Sequence, residues 1–499
     1  MDGACDLGQP MSIVQKIAKS FLTLLVAGAA FSLCFAPYYW IFLVPVLVSF
    51  LVWRISESPT KKSAFGRAFL FGFGFGCIST SWIANAILLD DRLGWVVPFA
   101  LIGMGIFFGL FYGMAGFVAA FYPKGIRRLF AFAAAFTVLE WVRGWFLTGF
   151  PWNLIGSVWE NTLPILQGAS VIGVYGLTFL TIVLGGAGAF WPKKKPILIA
   201  VGIFLLLFLL GGLRIYADTQ DRVTGVKLRL VQPNIPQTLK WDPKEAENSF
   251  FKIMRLSREN NDDITHTIWP ESAVPFILNR DENERLRLMQ AVHQGGSLIL
   301  GGMRLVPEQK TLANSLFVLD DMANIVAYYD KSHLVPFGEY VPFRGIMPFD
   351  KLVPIPFDFR EGEGVQTIRA PKTPPFGALV CYEVIFSGAV ADRKNRPEWL
   401  VNVTNDGWYG LSSGPYQHLG MAKMRAVEEG LPLVRVANTG ISAVFDGYGR
   451  TMGSIPLGTE GVLDLPLPQA LPPTVYGRFG AGIPIGFCVI LLIFLRKRK

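Results

Sequence analysis

The chain has 499 residues, of which 52% are hydrophobic and only 17% charged, and its mean hydropathy is +0.40. Soluble proteins carry about 25% charged residues, so this composition indicates a membrane protein. The 52 glycines and 33 prolines follow no G-X-Y period, which excludes a collagen-like or low-complexity chain. The five cysteines are too few and too scattered for a disulfide scaffold, and they include no C-x-x-C pair of the kind that binds zinc.

The formal net charge of +9 is unevenly distributed along the chain. Residues 215–478 carry 27 Lys and Arg against 30 Asp and Glu, so the whole positive excess lies among the apolar segments. The positive-inside rule predicts such an excess in the cytoplasmic connections of a membrane protein. The charge therefore indicates membrane topology, and nucleic-acid binding is not expected.

Eight apolar runs approach the ~20 residues that a helix needs to cross a bilayer. They lie at residues 18–36, 38–53, 68–88, 95–121, 129–148, 165–191, 197–213 and 479–495. Basic residues are concentrated before the first run and after the second, fourth, sixth and eighth. Assigning those connections to the cytoplasm predicts about eight transmembrane helices with both termini inside. Residues 215–478 then lie on the outer side of the membrane.

Two ionisable residues, Glu140 and Arg143, lie in the fifth run at spacing i, i+3. Charged side chains are costly in lipid unless they are paired or face a protein cavity. Two interpretations are open: a structural ion pair near the outer end of the helix, or a pair that holds a polar headgroup. A transporter would need ionisable groups in several runs, and only these two qualify, so a transporter is the less favoured function.

Residues 215–478 have an ordinary charge content and contain short β-rich runs separated by charged helical stretches. The β-rich runs include VKLRLVQPNI, SLILGGMR and FGALVCYE. This alternation favours an α/β domain in which helices cover the sheets. The predicted organisation is a helical transmembrane domain at 1–214, an α/β domain at 215–478, and a C-terminal transmembrane helix with a basic tail at 479–499.

Three polar residues, Glu271, Lys331 and Cys381, each follow directly on an apolar strand-like run. In α/β folds the ends of strands project side chains into a common crevice, so these residues are placed to converge. A cysteine attacks best as the thiolate, a carboxylate can take its proton, and a lysine can stabilise an oxyanion. Each signal is weak when taken alone, because a lone buried cysteine is more often inert than reactive.

The motifs around these residues are more specific. WPES at 269–272, YDKSHLVPFGEYVP at 329–342, CYE at 381–383 and NDGWYG at 405–410 occur in this order. They resemble the nitrilase (carbon–nitrogen hydrolase) superfamily with its Glu–Lys–Cys triad. With VQPNIPQTLKW and the flanking spans, the whole chain resembles the membrane-bound bacterial apolipoprotein N-acyltransferase branch. The resemblance implies an αββα sandwich beyond the membrane helices. NDGWYG departs slightly from the usual form in its small and aromatic positions.

The resemblance also implies catalytic roles for the three residues at the strand ends. Glu271 would be the general base, Lys331 the cation that stabilises the oxyanion, and Cys381 the nucleophile. Glu339, in FGEY, is similar to the second glutamate of the superfamily, which orients the lysine and assists proton transfers.

The remaining carried-over residues flank the nucleophile or precede the domain's first helix. Tyr382 and Glu383 follow Cys381, where a backbone N–H would add to an oxyanion hole. Trp241 matches a family tryptophan at the lipid-binding side. The alternatives are that Tyr382 and Trp241 are packed aromatics and that Glu383 is the buried partner of an arginine, such as Arg425 or Arg435.

The stretch 334–359 is rich in proline and phenylalanine. Proline removes backbone donors, so a long apolar loop is expected rather than a helix or central strand. Beside a bilayer such a loop can rest on lipid or close over acyl chains. The alternative is a loop buried inside the domain.

The resemblance implies an acyltransferase of the bacterial inner membrane, with its catalytic domain on the periplasmic side. A phospholipid would donate an acyl chain to the cysteine, and the α-amine of a diacylglyceryl-modified lipoprotein would receive it. No cofactor or metal is expected, and the protein is expected to be a monomer. A membrane-tethered amidase or nitrilase is the closest alternative, since it would use the same triad but pass the acyl group to water. A metalloenzyme is disfavoured because H-E-x-x-H does not occur. A serine hydrolase is disfavoured because the G-x-S-x-G match GLSSG at 410–414 does not follow directly on an apolar strand-like run, as a nucleophile elbow would.

Overall fold

A computed structural model describes residues 13–216, 221–240, 242–259, 263–307, 311–342 and 358–496. Trp241 and residues 343–357, which form most of the proline- and phenylalanine-rich stretch, lie outside the described residues.

The first part of the chain is helical, as its apolar runs predict. Its helices are α1 (Ile13–Phe31), α2 (Leu43–Ser56), α3 (Lys61–Ser79), α4 (Ile83–Ile87), α5 (Val97–Ala119), α6 (Ile126–Arg143), α7 (Leu163–Leu166), α8 (Ala169–Gly185) and α9 (Lys194–Tyr216). Each of the seven apolar runs before residue 215 overlaps one of the longer helices.

Three helical stretches are long and apolar enough to cross a membrane, judged on the described residues by length and composition. They are Asp91–Ala119, Ala169–Phe190 and Lys194–Tyr216. Shorter apolar helices lie at Phe21–Cys34, Leu43–Ser56 and Gly482–Arg496. Membrane-spanning helices are thus present on these criteria, and the number of eight stays a prediction.

Glu140 and Arg143 form a buried pair on α6, with 3.6 Å between Arg143 Nη2 and Glu140 Oε1. Arg143 Nη1 also donates to the carbonyls of Phe150 and Trp152, while Glu140 accepts from the Ile155 N–H and the Thr178 hydroxyl. Both side chains thus have hydrogen-bonding partners inside the helical domain. The pair ties α6 to the connection that follows it.

The second part of the chain forms two six-stranded sheets. The strands are β1 (Arg222–Gln232), β2 (His266–Ile268), β3 (Ser297–Val306), β4 (Thr311–Asp320), β5 (Ile325–Asp330), β6 (Thr367–Ile368), β7 (Phe376–Val380), β8 (Trp399–Thr404), β9 (Leu433–Ala437), β10 (Ser442–Phe445), β11 (Thr451–Ile455) and β12 (Gly461–Pro468). The strand orders are β12-β1-β2-β3-β4-β5 and β11-β10-β9-β8-β7-β6. In each sheet the central three strands, β1–β3 and β7–β9, run parallel.

Helices cover the outer faces of the two sheets, and apolar side chains fill the space between them. The inner core includes Leu228, Ile299 and Val401 from facing strands. The remaining helices are α10 (Ala246–Arg258), α11 (Glu282–Leu286), α12 (Ser413–Glu429), α13 (Val475–Phe479) and α14 (Gly482–Arg496). Helix α10 packs on the first sheet and α12 on the second. The layers are therefore helix, sheet, sheet, helix, the αββα arrangement expected from the resemblance.

The face of α12 away from its sheet contacts the helical domain. Gln417 on α12 accepts hydrogen bonds from the indole N–H groups of Trp82 and Trp152, at 3.1 and 2.7 Å. Its own amide donates to the Ser79 carbonyl. Because these buried polar groups satisfy one another, they fix the α/β domain against the helical domain.

Candidate active site

Cys381 lies at the end of β7, where the strand passes into a short turn at Cys381–Ile385. Its φ is +51°, in the left-handed region that non-glycine residues rarely adopt. The side chain is 5% exposed and contacts the core between the two sheets. A strained residue of this kind at a strand end is typical of a functional position, because the surrounding structure must hold it there.

Lys331, Glu271 and Glu339 form a buried cluster of charges. Lys331 follows β5 directly, is 1% exposed, and places Nζ 2.9 Å from Glu339 Oε2 and 3.6 Å from Glu271 Oε1. Asn314 on β4 joins the two carboxylates, since its amide donates to Glu271 Oε1 at 2.8 Å and to Glu339 Oε1 at 2.7 Å. One cation thus faces two carboxylates, and one amide bridges them.

Glu271 reaches this cluster because the chain after β2 passes close to β3. The Gly301 N–H on β3 donates to the carbonyl of Pro270, and the Ala273 N–H donates to the carbonyl of Gly301. A Cβ atom at Gly301 would lie 2.5 Å from the Cα of Glu271. Only glycine permits this approach, so the backbone of β3 sets the position of the carboxylate.

The pKa values in the cluster follow from burial and from the neighbouring charges. Burial lowers the pKa of the Lys331 ammonium, but Glu339 and Glu271 outweigh it and hold this pKa above its ordinary value. Burial and the Glu271 carboxylate raise the pKa of the Cys381 thiol to about 12, against the opposing effect of Lys331. The resting cysteine is therefore a neutral thiol with little thiolate at neutral pH.

Glu383 connects the turn after β7 with the segment that carries Lys331. Its Oε2 accepts from the Val380 N–H at 2.7 Å. Its Oε1 accepts from the Tyr329 hydroxyl at 2.6 Å and from the Ser332 N–H at 2.7 Å. These partners differ from the arginine alternative considered from the sequence. A carboxylate with several such donors crosslinks the two strand ends that bear Cys381 and Lys331.

Tyr382 faces the helical domain. Its hydroxyl donates to the Gly149 carbonyl at 2.9 Å, and the ring is buried against Phe386. A parallel link joins His333 Nε2 to the Thr148 carbonyl at 2.9 Å. The loop after α6 therefore touches both segments that flank the cluster, which places the site at the junction of the two domains.

Two polar residues of the site, Asn314 and Lys240, were not predicted from the sequence. Asn314 and its neighbour Ser315 are polar residues between apolar positions of the strand TLANSLFVLD, and that irregularity was the available signal. Lys240 donates from Nζ to the Glu271 carbonyl at 2.9 Å, and burial lowers the pKa of its ammonium to about 8. No local pattern distinguishes Lys240 from other lysines, because its partner lies 31 residues away.

The arrangement combines a thiol, a carboxylate and an ammonium in a region of low solvent access. Such a set can move a proton from the thiol, form a covalent acyl intermediate and stabilise an oxyanion. Among the described residues, no group of three or more His, Cys, Asp or Glu side chains is placed to hold a metal ion.

The paired sheets and the cysteine at the strand end define a carbon–nitrogen hydrolase domain, and the family model described as "Carbon-nitrogen hydrolase" matches residues 227–471. The model "Apolipoprotein N-acyltransferase N-terminal domain" matches residues 27–187. An amidase from Nesterenkonia sp. is similar in structure, with a TM-score of 0.37 and 18% identity, covering 50% of this chain and 94% of the amidase.

Two curated relatives extend the match to nearly the whole chain. The apolipoprotein N-acyltransferase of Bradyrhizobium diazoefficiens is 38% identical, with 96% of this chain and 95% of the relative covered. That of Rickettsia prowazekii is 35% identical, with 93% and 95% covered. The chain belongs to the apolipoprotein N-acyltransferase family, and it is an N-acyltransferase.

Proposed function

We propose that this enzyme takes an acyl chain from a membrane phospholipid on Cys381 and transfers it to the α-amine of an S-diacylglyceryl cysteine at a lipoprotein N-terminus. The observation that carries the proposal is the buried cluster of Lys331, Glu271 and Glu339 at the strand ends that meet Cys381. Family membership supports the lipoprotein acceptor and the phospholipid donor in general terms.

In the first step the Glu271 carboxylate removes the thiol proton while Cys381 Sγ attacks the ester carbonyl of the phospholipid. Lys331 stabilises the oxyanion as the C–S bond forms. The C–O bond to glycerol then breaks, and the proton held by Glu271 passes to the departing oxygen. The products of this step are a thioester on Cys381 and a lysophospholipid.

In the second step the acceptor amine attacks the thioester carbonyl. Glu271 accepts a proton from the nitrogen, and Lys331 again stabilises the oxyanion. The C–S bond breaks and the thiol regains its proton, leaving an amide on the lipoprotein. The two half-reactions share one set of residues, and Glu339 and Asn314 keep Lys331 and Glu271 in place. The phospholipid ester and the Cys381 thioester are both activated acyl donors, so no cofactor enters the scheme.

Tyr382 and Glu383 serve as positioning residues in this proposal, and Trp241 serves on the lipid-binding side. Glu383 supports the assignment through its contacts to the Val380 and Ser332 N–H groups. Tyr382 supports it through its bond to the helical domain, where an acyl chain would approach. The role of Trp241 rests on the sequence motif alone.

We further propose that about eight helices cross the bacterial inner membrane, with domains at 1–214, 215–478 and 479–499. The eight longer helices within the apolar runs and the charge distribution support this topology. The catalytic domain then lies in the periplasm, where exported lipoproteins are found, and both termini lie in the cytoplasm. The enzyme is proposed to act as a monomer and to bind no nucleic acid.

The proposal is tested with purified full-length protein and a phospholipid that carries a labelled acyl chain. A two-step mechanism predicts that the acyl-enzyme accumulates when no amine acceptor is present. We expect a hydroxylamine-sensitive label on Cys381 and its loss in Cys381→Ser. Addition of a diacylglyceryl-cysteine peptide should then move the label to the peptide amine.

The same experiment separates a transferase from a tethered hydrolase. If water is excluded from the thioester, little free fatty acid should appear beyond the first turnover without acceptor. Steady release of fatty acid would favour the hydrolase. A label on a residue other than Cys381, or turnover by Cys381→Ala, would contradict the assigned nucleophile.

A further inference from the structure

His418 on α12 lies directly behind the backbone of Cys381 and is fully buried. Its Nε2 is 3.2 Å from the Cys381 carbonyl oxygen. Because a carbonyl oxygen only accepts, this contact is a hydrogen bond when Nε2 carries the proton. His418 has no part in the triad, and its bond goes to the nucleophile's backbone rather than to its thiol.

The imidazole ring of His418 is held in one orientation. Its Nδ1 lies 2.9 Å from Asp406 Oδ1 and 3.0 Å from Arg435 Nη2. The aromatic rings of Trp152 and Tyr409 pack around it, with centroid distances of 5.5 and 5.9 Å. Polar partners on one edge and aromatic rings around it leave Nε2 directed at the Cys381 carbonyl.

A second donor reaches the same carbonyl. Asn402 on β8 places Nδ2 3.3 Å from the Cys381 oxygen, and its Oδ1 accepts from Arg435 Nη1 at 2.5 Å. Arg435 also donates to Asp406 Oδ2 at 2.6 Å. Arg435 and Asp406 thus anchor both side chains that bond to the nucleophile's backbone.

These contacts are placed where the nucleophile needs support. Cys381 has a φ of +51°, a conformation that an L-residue keeps only when its surroundings impose it. The φ and ψ of this residue set the direction of its Cα–Cβ bond, from which Sγ extends. Two hydrogen bonds to its carbonyl oppose rotation of the following peptide, so they restrain the direction of the thiol.

We infer that His418, together with Asn402, is a positioning residue that holds the Cys381 backbone in its strained conformation and so aims the thiol at the acyl carbonyl. The inference rests on the proposed function, in which Cys381 is the nucleophile. It predicts that loss of the His418 donor slows acylation without changing phospholipid binding, because His418 contacts backbone and not substrate.

The test compares His418→Phe, which keeps a buried ring without the donor, with His418→Gln, whose amide can donate from a similar position. Full-length enzymes are mixed with labelled phospholipid without acceptor, and the rate constant for labelling Cys381 is measured. We expect His418→Phe to be slower by about 10- to 100-fold, the effect of a misplacement of about 1 Å. His418→Gln should recover most of the rate, with the same half-saturating phospholipid concentration in all three proteins.

Ser442→Ala is the matched control. The Ser442 hydroxyl is buried on β10 and donates to Gln232 Oε1 at 2.7 Å, so this variant loses a similar buried bond in the same sheet without touching Cys381. It should unfold at a lower temperature yet label Cys381 at the wild-type rate. Asn402→Asp provides a second test of the inference. The aspartate side chain can still accept a hydrogen bond from Arg435, but it cannot donate one to the Cys381 carbonyl. It should slow labelling even if His418→Phe does not fold.

Wild-type labelling rates in His418→Phe or in Asn402→Asp would overturn the inference. Equal reductions of the labelling rate in His418→Phe and His418→Gln would also overturn it. Such a result would show that the hydrogen-bond donor at this position does not matter for the reaction. If the wild-type enzyme carries no label on Cys381, the proposed function is wrong and the inference falls with it. If the wild-type enzyme is labelled on Cys381 and the His418→Phe and Asn402→Asp variants are labelled at the same rate, the inference is wrong while the proposed function stands.

Discussion

Lys331 lies between two carboxylates in a region that water hardly reaches. Removing a single partner from such a cluster leaves a buried charge without compensation, which costs more than losing an exposed ion pair. Asn314 limits this cost because its amide bonds to both carboxylates at once. The cluster therefore keeps Lys331 charged while leaving Glu271 beside the thiol.

Glu271→Gln removes the proposed base while leaving the Cys381 thiol in place, so it tests base catalysis by itself. The amide keeps the shape but cannot accept the thiol proton, so the labelling of Cys381 by phospholipid should slow by ~10² to 10⁴-fold. Lys331→Met should slow the same step by about 10² to 10³-fold through loss of oxyanion stabilisation. Single-turnover transfer from labelled phospholipid measures both effects.

The two substitutions act on one unit, so their effects should not add. The double variant should be scarcely slower than its slower parent. A near wild-type rate in Glu271→Gln would contradict its role as the base. Titration of the thiol in each variant provides the control that Cys381 is still present and reduced.

The pH dependence of Cys381 gives an independent prediction. Burial and Glu271 raise the pKa of this thiol to about 12, so the thiolate fraction at neutral pH is small. Alkylation by iodoacetamide without lipid should accelerate about tenfold per pH unit from pH 7 to 10, with no plateau near the ordinary thiol pKa of about 8.5.

Glu271→Gln removes the negative charge that raises the thiol pKa. Its alkylation at a fixed pH should therefore be faster than that of the wild type, while its acylation by phospholipid is slower. A plateau below pH 9 in the wild type, or slower alkylation in Glu271→Gln, would contradict the electrostatic description of the site. Mass spectrometry of the Cys381 peptide follows the reaction.

At the level of elements, α1 and α3 approach each other through glycine. A Cβ at Gly28 would lie 1.9 Å from the Phe71 carbonyl oxygen, and one at Gly74 would lie 2.2 Å from that of Leu25. Small residues let membrane helices pack by backbone contact, where lipid provides no hydrophobic force between helices. The two glycines thus set the distance between these helices.

Gly74→Ala should force α1 and α3 apart and destabilise the helical domain by about 1–3 kcal/mol, the usual cost of overpacking. Gly66→Ala is the matched control, because it lies on the same helix and nothing lies within 4 Å of its Cβ position. Thermal unfolding in detergent should show a lower transition temperature for the first variant only. Equal transition temperatures would contradict the close packing of α1 on α3.

For the whole molecule, α12 is an element that links the Cys381 site to the helical domain. One part of it bonds to Trp82 and Trp152 through Gln417, and the next residue, His418, contacts the backbone of Cys381. The position of Cys381 thus depends on contacts with the helical domain as well as on its own sheet. The site therefore lies at the junction of the two domains.

The proposed topology predicts opposite sides for the catalytic domain and the C-terminus. Met322 is exposed on the α/β domain, so Met322→Cys in whole cells should react with a membrane-impermeant maleimide that reaches the periplasm. A cysteine fused after the C-terminal basic tail should react only after the inner membrane is opened. Labelling of both positions only after opening would contradict the eight-helix topology and access to exported lipoproteins.

Much of the fold could be predicted from the sequence because its signals are local. Apolar runs mark the helices, since burial in lipid needs uninterrupted apolar length, and β-rich runs mark strands whose ends carry Glu271, Lys331 and Cys381. Strand ends in an α/β fold project side chains into a common crevice, so these residues could be expected to meet before any distance was known. Glu271 and Lys331 follow strands of the first sheet and Cys381 follows a strand of the second, so the packing of the two sheets brings them together. Their catalytic roles stay predictions.

Tertiary structure alone decided which side chains surround Glu271, Lys331 and Cys381. Asn314 joins Glu271 to Glu339 across 43 and 25 residues of chain, and His418 reaches Cys381 across 37. Glu383 bonds to Tyr329 and backbone N–H groups where an arginine had been considered. No local pattern encodes such pairs, because a hydrogen bond depends on where two separate strands or helices pack, and packing is a property of the whole folded chain.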